Sequence, residues 1–164
     1  MSVLLSLGSN LGDRTQQLDS ALELLRDQQG VQVSRVSSLY ETAPWGAQGQ
    51  PNFLNLAAEI ETELAPLELL KAVKRIERKL GRRSGTRWGP RAIDIDIVLW
   101  GNVVLQTPGL TLPHPELMNR AFVLVPLAEI AGDAKVPVTG RTVSELASSP
   151  EAAGEVWKYE LLDH

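Results

Sequence analysis

The sequence predicts an α+β fold, a sheet with helices packed on it. Three observations carry this expectation. Segments of period two and of period 3.6 follow one another in the order β, α, β, β, α, β, β, and then helices. The 164-residue length fits one domain, 1–164, with no linker, repeat or low-complexity tract. The composition is that of an ordinary globular chain, 43% hydrophobic and 22% charged, too apolar for disorder.

Val3 to Leu7 is a short apolar run closed by Gly8-Ser9-Asn10, which predicts a buried strand and a turn. Asp13 is placed to cap a helix whose buried stripe is Leu18, Ala21, Leu22 and Leu25. Gly30 ends it, and Val31 to Tyr40, rich in β-branched residues, predicts a second strand. Glu41 to Pro51, with two prolines and two glycines, predicts a loop. Phe53 to Thr62 alternates, with Leu54, Leu56, Ala58 and Ile60 on one face and Phe53 and Asn55 on the other. Pro66 opens a helix with Leu69, Val73, Ile76 and Leu80 as its stripe, and Gly81 stops it.

Arg82 to Pro90 reads as a basic, glycine-containing loop, and Ala92 to Trp100 as a strand of strict period two. Gly101-Asn102 is a hairpin signal leading into Val103-Val104-Leu105. Pro113-His114-Pro115 is a stiff connector. Arg120 to Ile130 predicts a helix that Pro126 bends or restarts. Thr142 to Ala147 suggests a short helix, and Val156 to Leu162 an edge strand or a loose helix.

Composition excludes several functions. With no cysteine there is no disulfide, thiolate zinc site or cysteine nucleophile. A net charge of −4 argues against coating nucleic acid. The N-terminus lacks a basic lead, and no stretch approaches the ~20 apolar residues of a membrane helix. The expectation is a cytoplasmic protein with no membrane partner.

The charge is unevenly spread. Lys71 to Arg91 holds nine basic residues and one acid, Glu77, a net +8, so the remainder carries −12. On the helix, Lys71, Arg75, Arg78 and Lys79 read as a solvated face. Arg82, Arg83, Arg87 and Arg91 sit instead in a loop with Trp88, directly before two acids. Guanidinium forks suit phosphate oxygens, and a nucleic-acid groove would add more interleaved aromatics, so a small phosphorylated molecule is the expected ligand.

Asp94 and Asp96 share one face of their strand, about 6–7 Å apart at the backbone. Ile93, Ile95, Ile97 and Leu99 are expected on the core face. Two carboxylates beside four arginines suit a magnesium–triphosphate complex, because Mg²⁺ takes few carboxylates and keeps waters and phosphates. Phe53 and Phe122 are the only phenylalanines, and Asn55 beside Phe53 suits a flat heterocycle. His114, held between prolines, presents its imidazole. The Gly8 to Gly12 turn lacks a Walker ending and reads as structural.

The run Arg87-Trp88-Gly89-Pro90-Arg91-Ala92-Ile93-Asp94-Ile95-Asp96-Ile97-Val98 resembles the signature of the 6-hydroxymethyl-7,8-dihydropterin pyrophosphokinase family of folate synthesis. Gly8-Ser9-Asn10-Leu11-Gly12, Tyr40-Glu41-Thr42, Gln50 to Asn55, Pro113-His114-Pro115 and Asn119-Arg120-Ala121-Phe122 resemble its other motifs, over about residues 1–131. The resemblance implies a three-layer, ferredoxin-like fold with a mostly antiparallel sheet. It also implies pyrophosphate transfer from ATP to the pterin hydroxymethyl group, with release of AMP. Two Mg²⁺ would be held by Asp94 and Asp96, with Arg82 and Arg91 also catalytic. The pterin would lie between Phe53 and Phe122, with Asn55, Thr42 and Trp45 contributing. ATP contacts would come from Lys74, Glu77, Arg83, Arg87, Trp88, Ile97, Thr111, His114 and Arg120. A monomer acting on small molecules is implied. Two rivals stay open: another Mg²⁺-dependent nucleotide-using transferase, and a non-catalytic ligand-binding module on the same fold.

Overall fold

The computed structural model describes residues 1–10, 12–42, 52–81 and 93–159. In chain order these form β1 (Ser2–Ser9), α1 (Arg14–Asp27), β2 (Val31–Val36), β3 (Tyr40–Thr42), β4 (Phe53–Thr62), α2 (Pro66–Leu80) and β5 (Asp94–Trp100). Then come β6 (Leu105–Gln106), β7 (Thr111–Leu112), a 3₁₀ turn at Leu117–Asn119, α3 (Ala121–Ala131), β8 (Lys135–Val136), β9 (Arg141–Thr142), α4 (Val143–Ala147) and β10 (Val156–Lys158). The main sheet runs β10-β3-β4-β1-β5, with β2 also on β4, and its pairings are antiparallel.

Side-chain alternation divides the sheet between two cores. Val3, Leu5 and Leu7 of β1, Leu54, Leu56, Ala58 and Ile60 of β4, and Ile95 and Ile97 of β5 pack with α1 and α2. Leu4, Ala57, Val98 and Leu99 face α3 and α4 with Leu124, Leu127, Val143 and Leu146. The result is the expected α+β arrangement with helices on both faces of an antiparallel sheet. Each fully buried leucine, such as Leu5, Leu18 or Leu69, contributes about 1.5–3 kcal/mol by leaving water.

Local signals set the helix ends. The Gln16 N–H donates to Asp13 Oδ1 (3.1 Å), capping α1, whose buried residues are the four expected. Pro66 occupies the first turn of α2, where its missing N–H costs nothing, and Glu68 Oε1 accepts from the Ala65 N–H (3.0 Å). Thr142 caps α4 through the Glu145 N–H (3.1 Å).

Six expectations are corrected or resolved. The strand expected over Val31 to Tyr40 is two strands. Between them the Ser37 N–H donates to Ala57 O (2.9 Å) while Ser37 Oγ takes the Ala57 N–H (2.8 Å), so a hydroxyl replaces a ladder carbonyl. Glu41 and Thr42, placed in the loop by sequence, extend β3 against Leu54 and Phe53. The strict period of Ala92 to Trp100 fails at a bulge: the register with β1 shifts between Leu4 and Leu5, which turns Leu99 to the α3 face and Trp100 to the α1–α2 core. Gly101-Asn102 makes a turn closed by Val103 N–H to Trp100 O (2.9 Å), but β6 pairs with β7 and not with β5. Of the segment Val156 to Leu162, Val156–Lys158 forms an edge strand, β10, and residues 160–162 lie outside the described residues. Pro126 lies inside α3, which begins five residues before it at Ala121.

Candidate active site

One side of the sheet, beside α3, holds a cleft of about 670 Å³. β1, between β4 and β5, supplies its floor. In β1, Leu5 and Leu7 point to the α1–α2 core, so Ser6 and Gly8 turn to the other face. Gly8 sits opposite Asn55 of β4 on one side and Asp94 of β5 on the other, and Ser6 is opposite Asp96. Two strand spacings therefore separate the amide from the carboxylates, about 10 Å. Gly8 is required by close approach, because a Cβ there would lie 2.6 Å from Asn55 Oδ1.

On one side stands an aromatic and amide wall. Thr42, Phe53, Asn55 and Phe122 all line the cleft. Asn55 is buried and its Nδ2 donates to Thr42 Oγ1 (3.0 Å), which fixes the amide plane. The Arg120 guanidinium lies 5.5 Å from the centre of the Phe122 ring and also pairs with the Glu116 carboxylate. On the other side Asp94 and Asp96 line the cleft together. Between them, the Ile95 N–H donates to Glu77 Oε2 (2.9 Å), so a buried carboxylate on α2 braces β5 from behind. Lys74 Nζ lies 3.1 Å from the other oxygen of Glu77.

His114 is held by its backbone N–H to Val98 O (2.9 Å), and its Nδ1 accepts from the Glu116 N–H (3.2 Å). That bond places the proton of the neutral ring on Nε2. Burial pushes the imidazole below its ordinary range, while the Asp96 carboxylate opposes the shift.

The structure therefore gathers Asp94, Asp96, Thr42, Phe53, Asn55, Arg120 and Phe122 around one cleft. Glu77 is behind β5, Ile97 has its side chain in the α1–α2 core, and Thr111 is in β7. Arg82, Arg83, Arg87, Trp88, Arg91 and Trp45 lie outside the described residues. Sequence reasoning missed Ser6, Gly8, Glu116 and Asn119 as lining. The first two were legible as the off-phase positions of β1. Glu116 and Asn119 follow an irregular connector, where no periodicity marks a face.

Magnesium fits this donor set. No group of three or more His, Cys, Asp and Glu gathers among the described residues. Two carboxylates at an open cleft are what Mg²⁺ uses when waters and substrate phosphates complete its shell.

Fold and site together define a class: an antiparallel α+β frame with an aspartate pair and an aromatic–amide wall in one cleft. The family model described as 7,8-dihydro-6-hydroxymethylpterin-pyrophosphokinase (HPPK) matches residues 4–132, and the chain belongs to this family. The 2-amino-4-hydroxy-6-hydroxymethyldihydropteridine pyrophosphokinase of Bacillus subtilis is 44% identical over 94% of this chain and 89% of its own length. The protein of the same description from Haemophilus influenzae is 42% identical over 89% of this chain and 91% of its own. The mitochondrial folate synthesis bifunctional protein of Pisum sativum is 46% identical over 80% of this chain, which spans 25% of it. Among solved structures, the Plasmodium falciparum wild-type HPPK-DHPS with pteroate superposes with a TM-score of 0.71 at 17% identity. That match covers 89% of this chain and 41% of that one, and it speaks for the fold alone.

Proposed function

We propose that this chain transfers pyrophosphate from ATP to the hydroxymethyl group of 6-hydroxymethyl-7,8-dihydropterin, a step of folate biosynthesis. The observation that carries the reading is the shared cleft. Asp94 and Asp96 stand on one side of Gly8, Phe53 and Asn55 on the other, and Phe122 of α3 lines the same cleft. Family membership supplies the identity of the ring and of the donor.

In this reading the hydroxymethyl oxygen bonds to the β-phosphorus, and the bond from that phosphorus to the α,β-bridging oxygen breaks. AMP leaves with the bridging oxygen, and the hydroxyl proton passes to water. Phe53 and Phe122 stack the ring, and Asn55 reads its edge while Thr42 orients the amide. Arg120 is placed to move from Glu116 to a phosphate, with Arg82 and Arg91 as further phosphate contacts. Lys74, Arg83, Arg87, Trp88, Ile97, Thr111 and His114 would complete the nucleotide side, and Trp45 the pterin side. Two Mg²⁺ ions held by Asp94 and Asp96 would neutralise phosphate charge and align donor with acceptor. Glu77 keeps the two aspartates in register, and catalysis rests on positioning.

The reading also takes the chain as one domain, 1–164, working as a cytoplasmic monomer on small molecules and not on nucleic acid. No described helix is long and apolar enough to cross a membrane. The deciding experiment mixes the protein with ATP, Mg²⁺ and the hydroxymethyl pterin and identifies the nucleotide released. AMP is expected. ADP would favour a γ-phosphoryl transferase, and no product would favour a binding module.

A further inference from the structure

Two residues of the ring wall stand at element ends. Thr42 is the last residue of the three-residue β3, and Phe122 is the second of α3. Backbone groups at such ends lack partners within their own element and fray first. One short stretch, Ala153 to Tyr159, supplies partners to both. The Ala153 N–H donates to Asn119 O (3.1 Å), and Ala153 O accepts from the Ala121 N–H (3.2 Å), next to Phe122. Shortly after, β10 pairs with β3, setting Val156 opposite Thr42 and Trp157 opposite Glu41. The Tyr159 N–H then donates to Leu39 O (2.8 Å).

Side chains add a second layer. Trp157 Nε1 donates to one oxygen of Glu41 (3.2 Å), and Arg14 Nη1 to the other (2.8 Å). The same Arg14 nitrogen donates to Asn52 O (2.8 Å), the residue before Phe53, and the guanidinium lies 5.7 Å from the centre of the Tyr159 ring. Gly154 makes the crossing between the two anchorages at φ +110°, a conformation side chains rarely adopt, with no heavy atom near its missing Cβ. The stretch lies beyond residue 132, where the family match ends, and does not line the cleft.

We propose that Ala153–Tyr159 is a clasp that sets the spacing between the Thr42–Phe53 wall and Phe122, and so the tightness with which the flat ring is held. It is a positioning element that acts through backbone pairing and through the Trp157–Glu41 hydrogen bond. The inference rests on the pterin reading above. Its effect falls on the ring more than on the phosphates: Asp94 and Asp96 are on β5, at the opposite edge of the sheet from β10, and of the proposed phosphate contacts only Arg120, between the two Ala153 hydrogen bonds, adjoins the clasp.

The test uses full-length Gly154→Ala, Trp157→Ala and Trp157→Phe, with KM for the pterin and for ATP measured separately and folding checked by thermal melting. Gly154→Ala and Trp157→Ala are expected to raise the pterin KM about tenfold while the ATP KM and kcat hold within about twofold, the signature of lost ring binding alone. Trp157→Phe keeps the packing and loses the N–H, so its rise is expected to be smaller. If Trp157→Ala does not fold, the other two variants decide. A folded variant with the wild-type pterin KM, or one in which both KM values climb together, overturns the clasp. Wild-type protein that releases no AMP refutes the proposed activity instead. Active wild type with unaltered variants refutes the clasp alone.

Discussion

Gly8 shows how one residue can hold two halves of a site apart. It has no side chain, so Asn55 can lean over β1 into the cleft, which stays open as far as Asp94. Gly8→Ala would set a Cβ against Asn55 Oδ1, whose amide is tied to Thr42 and cannot swing away cheaply. We expect it to destabilise the fold by about 1–3 kcal/mol, as overpacking does, and to raise the pterin KM more than the ATP KM. Chemical denaturation and initial-rate kinetics check the two effects. Asp96→Ala is the complementary case. It removes a carboxylate at the open cleft and no core contact, so turnover should fall at least about a thousandfold while the melting temperature moves by only a few degrees. Near-normal turnover would end the metal assignment. Both aspartates were legible from their spacing together with the arginines just upstream, since period two puts them on one face and Arg87 and Arg91 precede them. Glu77 was legible as an acid in a basic run, but its bond to the Ile95 N–H was not, because nothing local says which strand edge α2 will cover.

At the scale of elements, α3 is tied to β3 by one acid. Glu129 accepts from Tyr40 Oη (2.5 Å) and from both the N–H (2.8 Å) and the hydroxyl (3.2 Å) of Ser38. Burial, then the hydrogen bond to Glu129 and its charge, push the Tyr40 phenol up to about 12. Burial works against the Glu129 carboxylate, but the donors from Tyr40 and Ser38 prevail and hold it below its usual range. The sign follows from linkage. A raised phenol stabilises the fold fully below its unfolded value near 10, and that contribution is lost as pH rises through about 12. The carboxylate's share is present above its unfolded value and is lost as pH falls through the lower folded one. An ultraviolet titration, with Tyr40→Phe to assign the signal, should place the phenol near 12, and Glu129→Gln should bring it part of the way back to 10. No movement in that variant would detach Tyr40 from α3. The same scale shows where periodicity misled. Val98 and Leu99 are both apolar and suit either face, so only the pairing of β5 with β1 decides that a bulge turns Leu99 toward α3.

Over the whole molecule the net charge of −4 is an average of two unlike parts, +8 from Lys71 to Arg91 and −12 elsewhere. A separation of this kind steers an anionic substrate toward one region, and salt screens it. Raising the salt from about 0.05 to 0.5 M, across which the Debye length shortens severalfold, should therefore raise the ATP KM and leave the pterin KM nearly constant. Equal responses would show that the basic segment does not attract the nucleotide.

The sequence by itself determined most element types, one core face of each long strand, the aspartate pair, the Phe53–Asn55 face and the family. These depend on side-chain periodicity and on contiguous motifs, both of which are local. Only the tertiary structure decided that Gly8 lies between Asn55 and Asp94, that Glu116 holds Arg120 beside Phe122, and that β10 pairs with β3 beside Thr42. Each of these joins residues far apart in the chain through a strand edge or an element end. Which edges and ends meet is set by how the layers pack, and no local pattern carries that information.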